Sequence, residues 1–284
     1  MHLLRLGPRG AERPAVHADG VTYDLGHLTP DITGTFLAAD GLALTRAALA
    51  AGELAVLAVP EGTRVGAPIA RPGKIVCIGL NYRDHAAESG AQIPAEPVVF
   101  MKAPNTVVGP TDEVLVPRRS TCTDWEVELG VVVGARASYL TSAQEAANCV
   151  AGYVLSHDVS EREFQLERGG TWDKGKSCDT FNPLGPWLVP ADEIDDVSGL
   201  GLRLWVNGEL RQDGNSKDMI FDVVEVVRYL SQFMVLEPGD LINTGTPAGV
   251  ALGHPDPKPY LRAGDVVELE IDGLGRQRQT FGQA

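Results

Sequence analysis

The run Cys122-Thr123-Asp124-Trp125-Glu126-Val127-Glu128-Leu129-Gly130-Val131-Val132-Val133-Gly134 joins an apolar, valine-rich strand to a mouth that carries two carboxylates. Side chains at i and i+2 of a strand point to the same face, so Glu126 and Glu128 share one site. Two like charges held together at the edge of a buried strand are costly unless a cation neutralises them, and a hard divalent cation with oxygen ligands does so well. The stretch therefore predicts a buried strand with a metal site at its mouth.

A third oxygen ligand stands in Val150-Ala151-Gly152-Tyr153-Val154-Leu155-Ser156-His157-Asp158, where an apolar strand ends on Asp158 and Val159-Ser160-Glu161-Arg162 opens a helical segment. Three carboxylates at strand ends, with no Cys or His at ligand spacing, suit Mg²⁺ or Mn²⁺ better than Zn²⁺. Taken singly, Glu126 and Glu128 read equally well as a solvated strand rim and Asp158 as an N-cap. The three together carry the metal reading.

The 284 residues, 44% hydrophobic and 22% charged, suffice for one sizeable domain with a small appendage. A formal net charge of -14 argues against nucleic acid or an anionic membrane as partner, since both reward clustered Lys and Arg, and points to a small molecule. Cys77, Cys122, Cys149 and Cys178 show no CxxC spacing and read as reduced, small buried residues. No signal-peptide core follows Met1 and no apolar run reaches spanning length, so the expected compartment is the cytoplasm.

Up to about Ala70 the chain carries a strand-like Leu3–Leu6 and a helix-like Leu42–Ala51 but no reactive constellation, and the Pro/Gly-punctuated segment 65–73 makes a boundary. Beyond Lys74 short strands dominate: 75–80, 97–102, 128–133, 150–157, 202–206, 240–243 and 266–271. Helices are expected at 82–89, 142–148, 161–167 and 221–234, the last with Val223, Val224, Val227, Leu230 and Met234 on one face. There is no βαβ alternation, GxGxxG or P-loop, which disfavours a doubly wound nucleotide fold.

After the strand 75–80 comes Asn81-Tyr82-Arg83-Asp84-His85-Ala86-Ala87-Glu88, and on a helix His85 and Glu88 are i,i+3 neighbours. A carboxylate bonded to imidazole fixes its tautomer and raises its basicity, making a general base able to take a proton from water. Lys176, in the Gly- and Pro-bounded stretch 171–186, reads as an active-site loop cation able to hold a substrate carboxylate or enolate oxygen, with Lys174 as a surface lysine. Asn243-Thr244-Gly245-Thr246-Pro247-Ala248-Gly249 supplies backbone N–H groups and the Thr246 hydroxyl for an anion.

The blocks Gly79–Glu88, Thr123–Gly130, His157–Arg162, Gly175–Phe181 and Asn243–Pro247, in that order, resemble the fumarylacetoacetate hydrolase family from Lys74 onward. The nearest branch holds bacterial 2,4-diketo-3-deoxy-L-fuconate hydrolases and 2-hydroxyhepta-2,4-diene-1,7-dioate isomerases. The resemblance implies an α+β, β-dominated fold: a mixed β-sandwich roll over residues 71–284 behind a small N-terminal domain of residues 1–70, as a homodimer. It implies Mg²⁺, Mn²⁺ or sometimes Ca²⁺ on Glu126, Glu128 and Asp158, a water-activating dyad of His85 and Glu88, and Lys176 as enolate stabiliser. Asn81, Arg162, Gln165 and Thr246 follow as substrate contacts. Cys178, Asn182 and the stretch Val250–Gly253 depart from the family pattern and bear on pocket shape. The implied reaction cleaves a C–C bond of an acylpyruvate-like 2,4-diketo acid to pyruvate and a carboxylic acid. An oxaloacetate-type decarboxylase or keto–enol isomerase on the same site stays open, as does a catalytically silent binding protein.

Overall fold

Why the run at 122–134 is so apolar is plain from its surroundings: every residue of the strand Val127–Val133 is buried, as a strand covered on both faces must be. The computed structural model describes residues 1–284. The strand lies inside a six-stranded mixed sheet of order Val189–Pro190, Val150–His157, Val127–Val133, Leu241–Asn243, Ile75–Gly79, Val98–Lys102. Pairing is antiparallel except between Leu241–Asn243 and Ile75–Gly79. On it packs a five-stranded sheet of order Glu209–Asn215, Gly201–Val206, Val266–Ile271, Gly275–Gln283, Val114–Val116.

The period-2 alternation of the central strand divides the core. Val127, Leu129, Val131 and Val133 join Leu202, Leu204, Val267 and Leu269 of the five-stranded sheet in one apolar cluster. Val132 joins Ile75, Cys77, Val154 and Leu241 in a second cluster, which takes in Leu3, Ile32, Phe36 and Leu37 from the N-terminal region. Glu128, an even position, therefore points to the second side. The N-terminal region is a four-stranded antiparallel sheet of order Val21–Asp24, Arg13–Ala18, His2–Leu6, Val65–Gly66, with helices Gly34–Ala38 and Gly41–Ala51.

Several expected elements differ in extent. The helix expected over 221–234 runs only from Val223 to Leu230; Asp222 caps it by accepting the Glu225 N–H at 2.8 Å, and Val226, not Val224, completes the buried face. Lys176 lies in no loop but ends a one-turn helix, Asp173–Lys176. Glu126 sits just ahead of the strand, which begins at Val127. The nine-residue strand Gly275–Gln283 escapes a hydrophobicity reading because its inward positions include glutamines. Gln277 donates to the carbonyls of Leu155 and Gly185 at 2.8 and 2.9 Å, and Gln279 to that of Pro110 at 2.7 Å. All four cysteines are free, but only Cys77 and Cys149 are buried. No helix is long and apolar enough to cross a membrane.

Candidate metal centre and active site

The antiparallel pairing of Val127 with His157 puts the start of one strand beside the end of the next, so Glu126 and Glu128 come to Asp158 across the ladder. One carboxylate oxygen from each lies within 4.8 Å of the others, and all three side chains are buried.

Three buried cations surround this cluster. Lys176 Nζ lies 2.7 Å from Glu126 Oε2 and 3.0 Å from Asp158 Oδ2. Arg162 Nε donates to Asp124 Oδ2 at 2.8 Å, and its Nη2 lies 2.7 Å from Glu126 Oε1. Lys102 Nζ donates to Asp158 Oδ1 and, at 3.0 Å, to the Val159 carbonyl. Lys102 ends an edge strand four places from Val150–His157. At about 4.8 Å per strand a flat sheet would hold them roughly 19 Å apart. The sheet must therefore coil, with the chain past His157 turning back over its face.

Glu128 is the exception: it has no cation partner and accepts only the Gly245 N–H, at 2.8 Å. Burial, then the charges of Asp158 and Glu126, push its carboxyl well above the usual carboxylate range. Burial opposes ionisation of Glu126 too, but the Lys176 and Arg162 charges overcome it and hold that carboxyl far below the usual range. Burial would lower Lys176; the neighbouring Asp158 and Glu126 outweigh it and keep the ammonium charged. Four buried carboxyl groups, Asp124 included, thus meet three buried cations, and Glu128 is the one left without a counter-charge, so that its ionisation calls for a further cation. An all-oxygen donor set with one uncompensated carboxylate fits a hard divalent cation. With that cation, one positive charge remains for an anionic ligand.

The cluster opens into a cavity of about 510 Å³. His85 and Glu88, on the short helix Arg83–Glu88, line it, with His85 Nδ1 3.3 Å from Glu88 Oε2. The Gly249 N–H donates to both Glu88 oxygens at 3.1 and 3.0 Å. Burial raises Glu88, but the His85 and Gly249 hydrogen bonds prevail and lower it, so it stays a carboxylate. Gly253 leaves Glu88 its room: a Cβ there would fall 2.1 Å from Glu88 Oε1.

Arg162, Gln165 and Thr246 also line the cavity. Arg162 Nη1 donates to Gln165 Oε1 at 2.9 Å, fixing that amide, while the Thr246 hydroxyl donates to the Val127 carbonyl and accepts from Gln212. Asn81, expected as a substrate contact, lies outside the lining. Its amide donates to the carbonyls of Phe221 and Thr244 and accepts the Phe221 N–H, so it braces the strand ends behind the site. Of the three departures from the family pattern only Val250–Gly253 reaches the cavity; Asn182 is buried behind it, bonded to Ser156 and Asn243. Sequence reasoning passed over Lys102 and Asp124. Each had a signal, a lone charge closing an apolar strand in one case and a third acid in Asp124-Trp125-Glu126-Val127-Glu128 in the other.

A buried carboxylate triad suited to a divalent cation, with a lysine bound to it and a His–Glu pair lining the same cavity, has the make-up of a metal-assisted enzyme site. Residues 74–282 match the fumarylacetoacetate hydrolase C-terminal family, and the chain belongs to that family. A Burkholderia multivorans protein, named only provisionally and as a hydrolase, is 50% identical over 281 residues, 98% of each chain. Fumarylacetoacetate hydrolase of Exiguobacterium antarcticum is 33% identical, with a TM-score of 0.83 and full coverage of both chains. Maleylpyruvate hydrolase of Sphingobium sp. SYK-6, solved with manganese(II) and pyruvate, is 28% identical with a TM-score of 0.81, again over both whole chains. A 2-hydroxyhepta-2,4-diene-1,7-dioate isomerase of Mycobacterium marinum is 28% identical, covering all of this chain and 98% of that one, at a TM-score of 0.71. Hydrolases and isomerases thus share this fold.

Proposed function

We propose that the protein is a hydrolase of acylpyruvate-type 2,4-dioxo acids, dependent on Mg²⁺ or Mn²⁺, releasing pyruvate and a carboxylic acid. The observation that carries this reading is the uncompensated Glu128 carboxylate inside an otherwise balanced buried cluster that faces the His85–Glu88 pair. A divalent cation held by Glu126, Glu128 and Asp158 would supply positive charge for the substrate's 1-carboxylate and 2-oxo group and for the enolate that develops there.

His85, its ring held by Glu88, takes a proton from water as the water oxygen adds to C4 of the substrate. Glu88 stays ionised and stabilises the imidazolium, while the Gly249 N–H keeps its carboxylate in place. The C3–C4 bond then breaks: C4 leaves as a carboxylic acid, the electron pair passes to the pyruvate enolate, and a proton from His85 reaches C3. Lys176 directs two donors at Glu126 and Asp158 and has a third for the enolate oxygen.

A second reading, keto–enol isomerisation, rests on the isomerase relative and on the same dyad, which can move a proton between carbon and oxygen without attacking water. Purified protein with Mn²⁺ and a panel of acylpyruvates separates the two. Pyruvate released in step with a carboxylic acid supports the hydrolase; ultraviolet changes with no pyruvate favour the isomerase.

A further inference from the structure

Three cations line the cavity: Lys176, Arg162 and Lys258. The first two are bound to carboxylates of the buried cluster. Lys258 forms no ion pair; its Nζ donates to the carbonyl oxygens of Leu252 and His254 at 2.6 and 2.7 Å. Those carbonyls fix the ammonium in place without cancelling its charge, and an ammonium has a third donor to give. Lys258 is half-buried in a wall of mixed polar and apolar residues, so its charge is only partly screened by solvent and can attract an anion that enters the cavity.

Its position says which part of a substrate it would meet. Leu252, to which it is bonded, and Gly253 line the cavity beside Glu88, since a Cβ on Gly253 would touch the Glu88 carboxylate. Lys258 is therefore on the dyad's side, where the attacked C4 and the acyl chain beyond it must lie. With a divalent cation on the triad, a 1-carboxylate would close the charge balance of the deep site, which leaves the Lys258 charge available to a second anion.

We propose that Lys258 is a specificity-determining residue that receives a terminal carboxylate on the acyl chain, making the preferred substrates dicarboxylic 2,4-dioxo acids. This rests on the hydrolase reading. Water oxygen adds to C4, the C3–C4 bond breaks and C3 gains a proton, so the products are pyruvate and a dicarboxylic acid with no oxidant or reductant consumed.

The test compares two acylpyruvates of equal length, one ending in a carboxylate and one in a methyl group, on the wild type, Lys258→Met and Lys258→Arg in the presence of Mn²⁺. The wild type should favour the carboxylated compound. Lys258→Met should cut kcat/KM for it by about 10–100-fold, mostly through KM, as expected for one charge-assisted hydrogen bond, and collapse the selectivity ratio. Lys258→Arg should restore much of that ratio. Equal losses on both compounds would reduce Lys258 to a brace of the Leu252–His254 turn, and an unchanged ratio would overturn the assignment. Cleavage of neither compound by the wild type would sink the hydrolase reading instead. The assignment would then be read from calorimetry with succinate and butyrate on the Mn²⁺-loaded protein, where equal affinity of the wild type for both, or an unchanged preference in Lys258→Met, refutes it.

Discussion

Replacing Glu128 by Gln should make the metal-free protein more stable and the metal-loaded protein less so. The carboxylate oxygens of the triad lie within 4.8 Å of one another. At an effective dielectric of about 20 each like-charged pair at that spacing repels by about 3.5 kcal/mol. Glu126 and Asp158 are offset by Lys176, Lys102 and Arg162, whereas Glu128 has only the Gly245 N–H. Metal-free Glu128 therefore keeps a proton that the unfolded chain would lose near 4.5. As pH rises above that value the folded protein carries more protons than the unfolded chain, so its stability falls. A neutral glutamine keeps an acceptor for Gly245 and abolishes this fall. The variant should melt about 2–4 °C higher for each kcal/mol relieved. Mn²⁺ at about 100 times its Kd should stabilise the wild type by about 2.7 kcal/mol, or about 5–10 °C, and the variant far less. Differential scanning fluorimetry across pH, with EDTA or Mn²⁺, reads both effects. A variant that is less stable than the wild type in EDTA, or that gains the same shift from Mn²⁺, refutes the charge argument.

Lys176→Met removes a preorganised donor at the enolate position and should lower kcat for acylpyruvate cleavage by about 10²–10³, whereas Lys174→Met, whose ammonium bonds the Arg168 carbonyl on the surface, should change it little. Steady-state pyruvate assays on the two variants check the register of that helix. His85→Ala should abolish cleavage while Mn²⁺ binding survives; Glu88→Gln should fall between it and the wild type, and calorimetry beside kinetics separates the two effects. Gly253→Ala should push the Glu88 carboxylate out of place and lower kcat with metal affinity unchanged, because the added Cβ lies 2.1 Å from Glu88 Oε1 and far less room is available than a Cβ needs. Unaltered kcat in Gly253→Ala would show that Glu88 needs no such placement.

What could be read from the residues was whatever repeats a local period. The i,i+2 spacing put Glu126 and Glu128 on one face and the i,i+3 spacing put His85 beside Glu88, because those distances are set by the backbone alone. The partnership of Lys102 with Asp158 was hidden, since it depends on the coil of a sheet whose strand order no single segment encodes. The strand Gly275–Gln283 was hidden because its core positions hold glutamines satisfied by carbonyls far away in sequence. The hairpin between Arg13–Ala18 and Val21–Asp24 did carry a signal: Asp19 and Gly20 both have positive φ, the pair of conformations that an Asp-Gly turn supplies. Asn81 shows the reverse failing, where a polar residue within a motif turns out to be occupied wholly by backbone groups.

The most direct test is the fate of water oxygen. When the Mn²⁺-loaded protein turns over an acylpyruvate in ¹⁸O-water, one label should enter the released carboxylic acid, in step with pyruvate, and Glu128→Gln should form neither product. Consumption of the substrate without labelled acid, whether by isomerisation or by loss of carbon dioxide, would contradict the hydrolytic account.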